Sequence, residues 1–121
     1  GKVTAEDNVA RVHRYHAALN AIDLDAVSAM FAEVAEYHSP SVGAIIGKGA
    51  IMAAMKGYFE EYPDQHAIDD VVEAIAPNKV RSRWRLNATS KTTGLPYVRN
   101  GGEVITFGDD GLMLRVDVED S

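Results

Sequence analysis

The chain has 121 residues, of which 46% are hydrophobic and 25% are charged; its formal net charge is -6, and it contains no cysteine. These values predict one globular domain over residues 1–121 with a sizeable core, and they exclude disulfides, thiolate metal sites and cysteine nucleophiles. The acidic charge, without a run of Lys or Arg, argues against nucleic-acid and membrane partners. We expect a cytoplasmic protein, because a cysteine-free chain suits a reducing compartment and neither a spanning segment nor a signal peptide is evident. Gly1 has the character of a residue left by tag cleavage.

The first half of the chain has the apolar periodicity of helices. Thr4 is an N-cap candidate for the first helix, and acidic residues follow it in the first turn, where they favour the helix dipole. Asp23 can cap a second helix. A third begins after Gly47–Gly49 and ends at Tyr62–Asp64, because proline disfavours the helical conformation in the residue before it. The apolar stripes that define the three helices are Val9, Val12, Tyr15, Leu19 and Ile22; Leu24, Val27, Met30, Phe31 and Val34; and Ile51, Met55, Tyr58 and Tyr62.

Between the second and third helices, the sequence EYHSPSVG (Glu36–Gly43) predicts a strand that runs into a turn. Loops held by a rigid scaffold concentrate binding and catalytic residues. His38 is a candidate general base, because imidazole titrates near neutral pH. The alternative is a strand-end histidine that faces water, and we favour it if Tyr37 and Ser39 face the interior.

The second half of the chain changes to the two-residue period of strands. His66–Ala76 is a strand candidate of mixed pattern, and Gly108–Gly111 closes a hairpin onto the last strand. The strand before this hairpin contains Gly101-Gly102, which predict a bulge. The clearest alternation places Val80, Ser82, Trp84 and Leu86 on one face and Arg81, Arg83, Arg85 and Asn87 on the other. Three helices followed by strands predict an α+β fold with the helices on one face of an antiparallel sheet.

Two residues could bring polar groups into an apolar interior. Glu103 shares a strand face with Ile105 and Phe107. If that is the core face, burial favours a neutral acid that can donate a hydrogen bond to an oxyanion; the alternative is that the opposite face is buried and Glu103 is solvated. Tyr15 lies in the apolar stripe of the first helix, where its hydroxyl needs a partner. A cavity would supply one, but a core tyrosine bonded to the backbone is equally consistent.

Other polar residues have simpler structural interpretations. His13 and His16 are three residues apart, a spacing that lets two imidazoles approach one metal, but without a third ligand we interpret both as helix-surface residues. Asp117 alternates against the apolar residues of the last strand and could face a pocket, a subunit interface or solvent. No dinucleotide, phosphate-loop, zinc-protease or nucleophile-elbow motif occurs in the sequence. We therefore predict neither a metal nor a cofactor.

Several stretches carry a family resemblance through their order and spacing. They are RYHAALNAIDLDAVSAMFAEVAEYHSP, GKGAIMAAMKGYFEEYPD, VRSRWRL, the turn at Thr93-Gly94, and FGDDGLML. Together they resemble the nuclear transport factor 2-like superfamily, in particular its ketosteroid isomerase-like and SnoaL-like (polyketide cyclase-like) branches. The resemblance implies a cone-shaped, cystatin-like roll in which a curved antiparallel sheet wraps three N-terminal helices. It also implies a pocket at the wide end and a homodimer formed through the sheet.

The resemblance further implies roles for single residues. Tyr15 occupies the position of the tyrosine that donates to the substrate oxyanion in ketosteroid isomerases, and Glu103 matches the protonated aspartate that is the second donor. Ser39 stands where these enzymes have their general base. Because serine is no base at neutral pH without an activating partner, we expect very low activity on a 3-oxo-Δ5-steroid. Asp117 is nearest to the acidic residue that polyketide cyclases of this fold use.

These observations predict a cofactor-independent isomerase or lyase that acts on a small apolar carbonyl compound. Tyr15 and Glu103 would polarise the carbonyl group, and His38 or Asp117 would move the proton. The residues predicted to line the apolar pocket are Phe31, Ser39, Met55, Phe59, Trp84 and Phe107. Two alternatives stay open: a non-catalytic ligand-binding homodimer, and an association module whose interior is filled by its own side chains. We expect the homodimer to form through the sheet face that carries the three arginines of VRSRWRL.

Overall fold

The computed structural model of the protein describes residues 4–120 as three helices and one six-stranded sheet. The elements are α1 (Ala5–Asn20), α2 (Leu24–Met30), β1 (Phe31–Ser39), β2 (Gly43–Ile46), α3 (Lys48–Glu61), β3 (His66–Ala76), β4 (Lys79–Thr89), β5 (Pro96–Phe107) and β6 (Met113–Asp120). The prediction of an α+β fold is confirmed. Within the described range, no helix has the length and apolar character needed to cross a bilayer. The expectation about Gly1 concerns a residue outside that range.

The six strands form one open, curved sheet in the order β2-β1-β6-β5-β4-β3. Neighbouring strands are antiparallel except β1 and β6, which are parallel. The sheet is therefore mixed, whereas the sequence predicted an antiparallel one. The parallel pair sets Tyr37 beside Val116, residues separated by most of the chain. Periodicity within a strand carries no information about the direction of so distant a partner.

The second helix is shorter than predicted. Helix α2 ends at Met30, and Phe31 is already extended, with φ -93° and ψ 140°. Phe31 and Val34, which the apolar spacing placed on the helical stripe, lie instead in β1, where Phe31 is buried and Val34 is exposed. Strands β2 and β6 supply the backbone hydrogen-bond partners of this segment. Tertiary pairing of this kind overrides a local helical pattern.

Helix α1 begins with the cap that the sequence predicted. The Thr4 hydroxyl accepts a hydrogen bond from the Asp7 backbone N–H (3.1 Å), and the Asp7 carboxylate accepts one from the Thr4 backbone N–H (3.3 Å). This reciprocal capping box satisfies two donors at the helix start. The fully buried residues of the helix are Asn8, Val12, Tyr15 and Ala18. Their face packs against β3 and β4 and so lays α1 across the inner side of the sheet.

Side chains on β4 and β5 alternate as the sequence predicted. On β4, the even-numbered residues between 80 and 88 face the helices, and the three arginines face away. On β5, Glu103 is 6% exposed and shares its face with the buried residues Ile105 and Phe107. The inward orientation of Glu103 is therefore confirmed, and a carboxyl group lies on the inner face of the sheet.

Gly101 and Gly102 do not form the predicted bulge. At these positions β5 pairs in continuous register with both of its neighbours. The glycines instead permit close backbone approach. A Cβ on Gly102 would lie 2.2 Å from the carbonyl oxygen of Ser82, and one on Gly101 would lie 2.8 Å from the carbonyl oxygen of Glu119. The sequence correctly indicated that this pair of glycines has a structural role, but the role is to allow close packing and not to accommodate an extra residue in the strand.

Replacing Gly102 with Ala is therefore expected to destabilise the protein by about 1–3 kcal/mol, the usual cost of forcing extra volume into a packed interior. Urea unfolding of the variant and the wild type measures this difference. Gly57→Ala in α3 is the matched control, because a Cβ there meets nothing within 4 Å and alanine favours a helix over glycine by about 1 kcal/mol. A Gly102→Ala protein as stable as the wild type would contradict the packing argument.

Candidate functional site

A cavity of about 270 Å³ lies between the inner face of the sheet and helices α1 and α3. Most of its wall is apolar, and its volume is near the lower end of the range for small-molecule sites. The side chains with polar atoms that border it are Tyr15, His16, Asn20, Tyr37, Ser39, Ser41, Tyr58, Tyr62, Gln65, Trp84, Tyr97, Arg99 and Glu103. A largely apolar wall with polar groups placed in it is typical of sites that orient a small ligand.

His16 on α1 joins two carboxylates that come from two different strands. Its Nδ1 lies 2.8 and 2.9 Å from the carboxylate oxygens of Asp69 on β3. Its Nε2 lies 2.5 Å from Oε1 of Glu103 on β5. The side chains of His16 and Glu103 are 11% and 8% exposed, and that of Asp69 is 23% exposed. These residues form the Asp69–His16–Glu103 chain, which ends at the cavity wall.

The histidine of this chain carries a proton on both ring nitrogens at neutral pH. Burial by itself lowers the pKa of His16, but the hydrogen bonds and charges of Asp69 and Glu103 outweigh burial and raise the pKa from 6.5 to about 10. Each ring N–H therefore donates to one carboxylate. The chain therefore places a charged imidazolium between two carboxyl groups beside a largely apolar cavity.

Trp84 holds the second oxygen of Glu103. Its indole N–H donates to Oε2 over 2.6 Å, so each carboxylate oxygen accepts a hydrogen bond from a fixed donor. Gly101, the cross-strand neighbour of Trp84, makes room for the indole, because a Cβ there would lie 3.1 Å from the indole Cη2. Donors on both sides fix the plane of the Glu103 carboxylate.

Asp69 shares the inner face of β3 with Ala67 and pairs with Trp84 on β4, directly before an irregularity in the strand. The register of β3 against β4 shifts between Asp69 and Val71. The residue between them, Asp70, faces outward, where Nε and Nη2 of Arg85 donate to its carboxylate at 3.0 Å. Bulges of this kind often lie next to functional sites because they re-aim a side chain. The shift also explains the mixed pattern of His66–Ala76 in the sequence.

Tyr15 presents a hydroxyl group at the same cavity. The residue is 2% exposed, and its ring meets the edge of Phe31 at 5.8 Å. Within residues 4–120 the hydroxyl has no hydrogen-bond partner. Burial first, and then the neighbouring Tyr37 and the charge of Glu103, raise the pKa of Tyr15 well above its ordinary value. The hydroxyl therefore stays protonated and can donate to a bound molecule.

The predicted lining residues divide between the cavity and the core. Those that border the cavity are Ser39, Met55, Phe59 and Trp84. Phe31 and Phe107 do not border it; they lie in the core at 0% and 2% exposure. Phe31 lies in the core because α2 ends at Met30 and Phe31 begins strand β1. Phe107 lies in the core because it ends β5, four residues beyond Glu103. Ser39 lies at the rim, where its hydroxyl is 3.0 Å from that of Ser41.

His38 and Asp117, the predicted carriers of the proton, lie outside the cavity. Nε2 of His38 is 3.0 Å from Oε1 of Glu36, and Nε of Arg115 donates to both oxygens of Asp117, at 3.0 and 2.9 Å. Tyr37 and Ser39 beside His38, and Val118 beside Asp117, line the cavity, and side chains alternate along a strand. Both residues therefore belong to the outer face of the sheet and cannot reach a molecule in the cavity.

The helix-surface interpretation holds for His13, which is exposed, and is wrong for His16. A signal for His16 was present in the sequence: it follows Val12 by four residues and precedes Leu19 by three, which places it on the apolar side of α1. Asp69 gave no such signal, because its apolar neighbour Ile68 faces outward and the register shift after Asp69 interrupts the alternation of β3. In the part of the chain that the structure describes, no three side chains group as metal ligands.

Three solved structures show the same fold at low sequence identity. A protein from Xanthomonas campestris pv. campestris that is assigned as a polyketide cyclase has a TM-score of 0.86 and 24% identity, over 94% of this chain and 90% of that one. SalBIII, an epoxide hydrolase/cyclase-like enzyme of pyran ring formation in salinomycin, has a TM-score of 0.85 and 17% identity, over 96% and 92% of the two chains. A nuclear transport factor 2-like protein of unknown function from Exiguobacterium sp. 255-15 has a TM-score of 0.81 and 14% identity, over 91% and 97%.

Sequence comparison identifies the family. No curated protein matches the chain in sequence. The profile of the SnoaL-like domain matches residues 12–116, which is most of the chain and includes every element from the middle of α1 to the middle of β6. The protein therefore belongs to the family of SnoaL-like domains, within the nuclear transport factor 2-like superfamily.

Proposed function

We propose that the protein is a cofactor-independent enzyme that moves a proton next to the carbonyl group of a small, largely apolar compound, as an isomerase or a lyase. One observation carries this proposal: a carboxylate, Glu103, is held by His16 and Trp84 at the wall of an apolar cavity. A carboxylate in such surroundings is poorly hydrated and has its orientation fixed before the substrate binds. Both properties favour general-base catalysis.

The hydrogen bonds of Glu103 favour a role as base over the neutral donor that the sequence suggested. Its oxygens accept one hydrogen bond each, from His16 and from Trp84. A carboxylate offers about four lone-pair positions, so each oxygen keeps capacity to accept a further proton. Glu103 would take the proton from the carbon next to the carbonyl group. Asp69 would act only through His16, by keeping the imidazolium oriented toward Glu103.

Tyr15 supplies the donor for the oxygen that becomes negative in this step. Its raised pKa keeps the phenol neutral, and its hydroxyl is not engaged by another residue of the described chain. When the carbon–hydrogen bond breaks, its electron pair moves into the enolate, and the Tyr15 hydroxyl would donate to the enolate oxygen. The proton on Glu103 can then return to a different carbon, which is isomerisation. Alternatively, the enolate carbon bonds to the carbon of a second carbonyl group, the π electrons of that group move onto its oxygen, and this alkoxide takes the proton from Glu103, which closes a ring.

The relatives support small-molecule chemistry of this general kind without fixing the substrate. One structural neighbour is assigned as a polyketide cyclase, and another is an epoxide hydrolase/cyclase-like enzyme that acts in ring formation. Ring closure through an enolate begins with the same proton abstraction that we assign to Glu103. The alternative function is a non-catalytic ligand-binding protein with the same cavity, and the experiment below separates the two.

A two-step experiment tests the proposed function. Small ketones and diketones are first screened for thermal stabilisation of the protein, because a ligand that binds only the folded state raises its melting temperature. Compounds that bind are then incubated with the enzyme in D2O, and deuterium incorporation next to the carbonyl group is followed by NMR. Binding with enzyme-dependent incorporation supports an enzyme. Binding without incorporation supports the ligand-binding alternative.

We also propose a homodimer through the outer face of the sheet. This face exposes Val71 and Val98, among ion pairs that Arg81 and Arg83 make with Glu119 at 3.6 and 3.8 Å. A sheet covered by helices on one side leaves the other side free to pair. Light scattering at micromolar concentration is expected to give twice the chain mass of 13.1 kDa. A monomeric mass would contradict the dimer and leave the cavity proposal unaffected.

A further inference from the structure

Arg99 is a charged group of the cavity wall that the proposed chemistry does not use. It lies on β5, four residues before Glu103 and on the same face, so the two Cα atoms are roughly 13 Å apart along the strand. Its side chain is 23% exposed. Among the described residues that line the cavity, Arg99 and His16 are the only cations, and His16 is already bound by two carboxylates.

The guanidinium group of Arg99 is oriented but only partly occupied. Nε and Nη2 donate to Oδ1 of Asp120 at 3.2 and 2.7 Å, whereas Nη1 has no hydrogen-bond partner between residues 4 and 120. The Asp120 side chain is 54% exposed, so water screens its charge more than that of Arg99. The guanidinium carbon lies 5.8 Å from the centre of the Trp84 ring. Trp84 therefore contacts both Glu103, through its N–H, and Arg99, through its face.

Three tyrosines, Tyr37, Tyr58 and Tyr97, line the same cavity as Arg99. Burial raises the pKa of Tyr37 and of Tyr58, and the positive charge of Arg99 opposes this rise. Burial lowers the pKa of Arg99, but its hydrogen bond to Asp120 and the neighbouring Tyr97 outweigh burial and raise it. The Tyr97 ring is stacked on Tyr62 at 4.7 Å, which fixes its position. In the described part of the chain, the hydroxyls of Tyr37, Tyr58 and Tyr97 make no hydrogen bond. One end of the cavity thus collects unoccupied donors and a permanent positive charge, and the other end holds a carboxylate.

We propose that Arg99, together with the hydroxyls of Tyr37, Tyr58 and Tyr97, binds a carboxylate group of the substrate, which is therefore a keto acid. This inference rests on the proposed function and deepens it. The ketone lies between Tyr15 and Glu103, and the acid lies at the Arg99 end. Arginine binds carboxylates with more than one N–H, and the neutral tyrosine hydroxyls add donors without adding charge. The negative charge of Glu103 repels the acid from the opposite end, so the two ends of the cavity fix the direction of the substrate.

The test compares an acid with its uncharged analogue. The probes are 4-oxo-4-phenylbutanoate and 4-oxo-4-phenylbutanamide, which share a ketone and a ring and differ in charge. Binding is followed by the fluorescence of Trp84, the one tryptophan of the chain, and by titration calorimetry. The wild type is expected to bind the acid roughly tenfold to a hundredfold more tightly than the amide, the range for hydrogen bonds to charged groups. Raising the salt concentration should weaken binding of the acid and leave binding of the amide unchanged.

Variants connect this preference to the proposed residue. Arg99→Gln is expected to remove the preference for the acid and to leave the amide affinity within about threefold, whereas Arg99→Lys should keep part of the preference. Arg83→Gln on the outer face is the matched control and should change neither affinity. The subsite is overturned if acid and amide bind the wild type equally, if neither binds, or if Arg99→Gln keeps the preference. Deuterium exchange with uncharged ketones tests the proposed reaction separately, so failure of the subsite and failure of the reaction can be told apart.

Discussion

Replacing Glu103 with Gln is expected to lower the rate of proton exchange next to a bound carbonyl group by roughly 10²–10⁴-fold, the usual contribution of a positioned general base. The amide has nearly the shape of the carboxylate but cannot take a proton. Ligand binding should change little, because Glu103 is one small part of a largely apolar wall. The measurement is deuterium incorporation at saturating ligand, so that the chemical step and not affinity is compared.

The matched control for this variant is Glu36→Gln. Glu36 is a carboxylate on the outer face of the sheet, where it contacts His38, and its replacement should leave exchange unchanged. Thermal unfolding of both variants shows that the fold is retained. A folded Glu103→Gln protein that exchanges protons at a third or more of the wild-type rate would mean that another group is the base.

Replacing His16 with Ala is expected to lower the free energy of unfolding by about 3 kcal/mol at neutral pH. Removing one member of a buried ionic group leaves the others uncompensated, which typically costs about 3–5 kcal/mol; the lower end applies because Asp69 is partly exposed. His13→Ala is the control, since this exposed histidine lies three residues earlier on the same helix and surface substitutions usually change stability by less than about 0.5 kcal/mol. Urea unfolding of the three proteins measures both effects.

The difference in the free energy of unfolding between the wild type and His16→Ala is expected to depend on pH. The pKa of His16 is raised from 6.5 to about 10 in the folded protein, so the folded state keeps a proton that the unfolded state loses. The stabilisation by His16 is complete below pH 6.5 and disappears as the pH rises toward 10, with a slope of at most about 1.4 kcal/mol per pH unit. His16→Ala lacks this group, so the gap between the two proteins should narrow as the pH rises. Equal pH dependence for both proteins would contradict the raised pKa of His16 in the folded state.

The alternation of polar and apolar residues was enough to predict the strand half of the fold. It grouped Trp84 with the apolar face of its strand and Glu103 with Ile105 and Phe107, because side chains on a strand repeat every two residues, and it left open which face of the Glu103 strand is buried. Helical spacing placed Tyr15 in the interior, because it falls on the apolar stripe that repeats every three to four residues along α1. The prediction failed at Phe31, whose spacing fits a helix, because pairing with distant strands decided the conformation there. Local periodicity does not include that partner.

The location of the site could be predicted from the sequence better than the roles of its residues. The position of His16 on α1 was consistent with an interior residue, but without a third metal ligand both His16 and His13 were interpreted as helix-surface residues. Its partner Asp69 was not identified, because the register shift directly after it leaves β3 without a continuous alternation from which its face could be assigned. The predicted proton carriers His38 and Asp117 had suitable chemistry, but the alternation along their strands put them outside. Glu103 was therefore recognised as a site residue, but in the role of a neutral donor, and its contact with His16 was not predicted.

The most direct test of the account is the rate at which the wild-type protein exchanges the protons next to the ketone of a cavity ligand with D2O. Trp84 fluorescence establishes that the cavity is saturated, and NMR then follows deuterium at the carbon adjacent to the carbonyl group. The account predicts incorporation well above the buffer rate, loss of that incorporation in Glu103→Gln, and no change in Glu36→Gln. A saturated cavity in which exchange proceeds no faster than in buffer would contradict a proton-transfer enzyme and establish the ligand-binding alternative in its place.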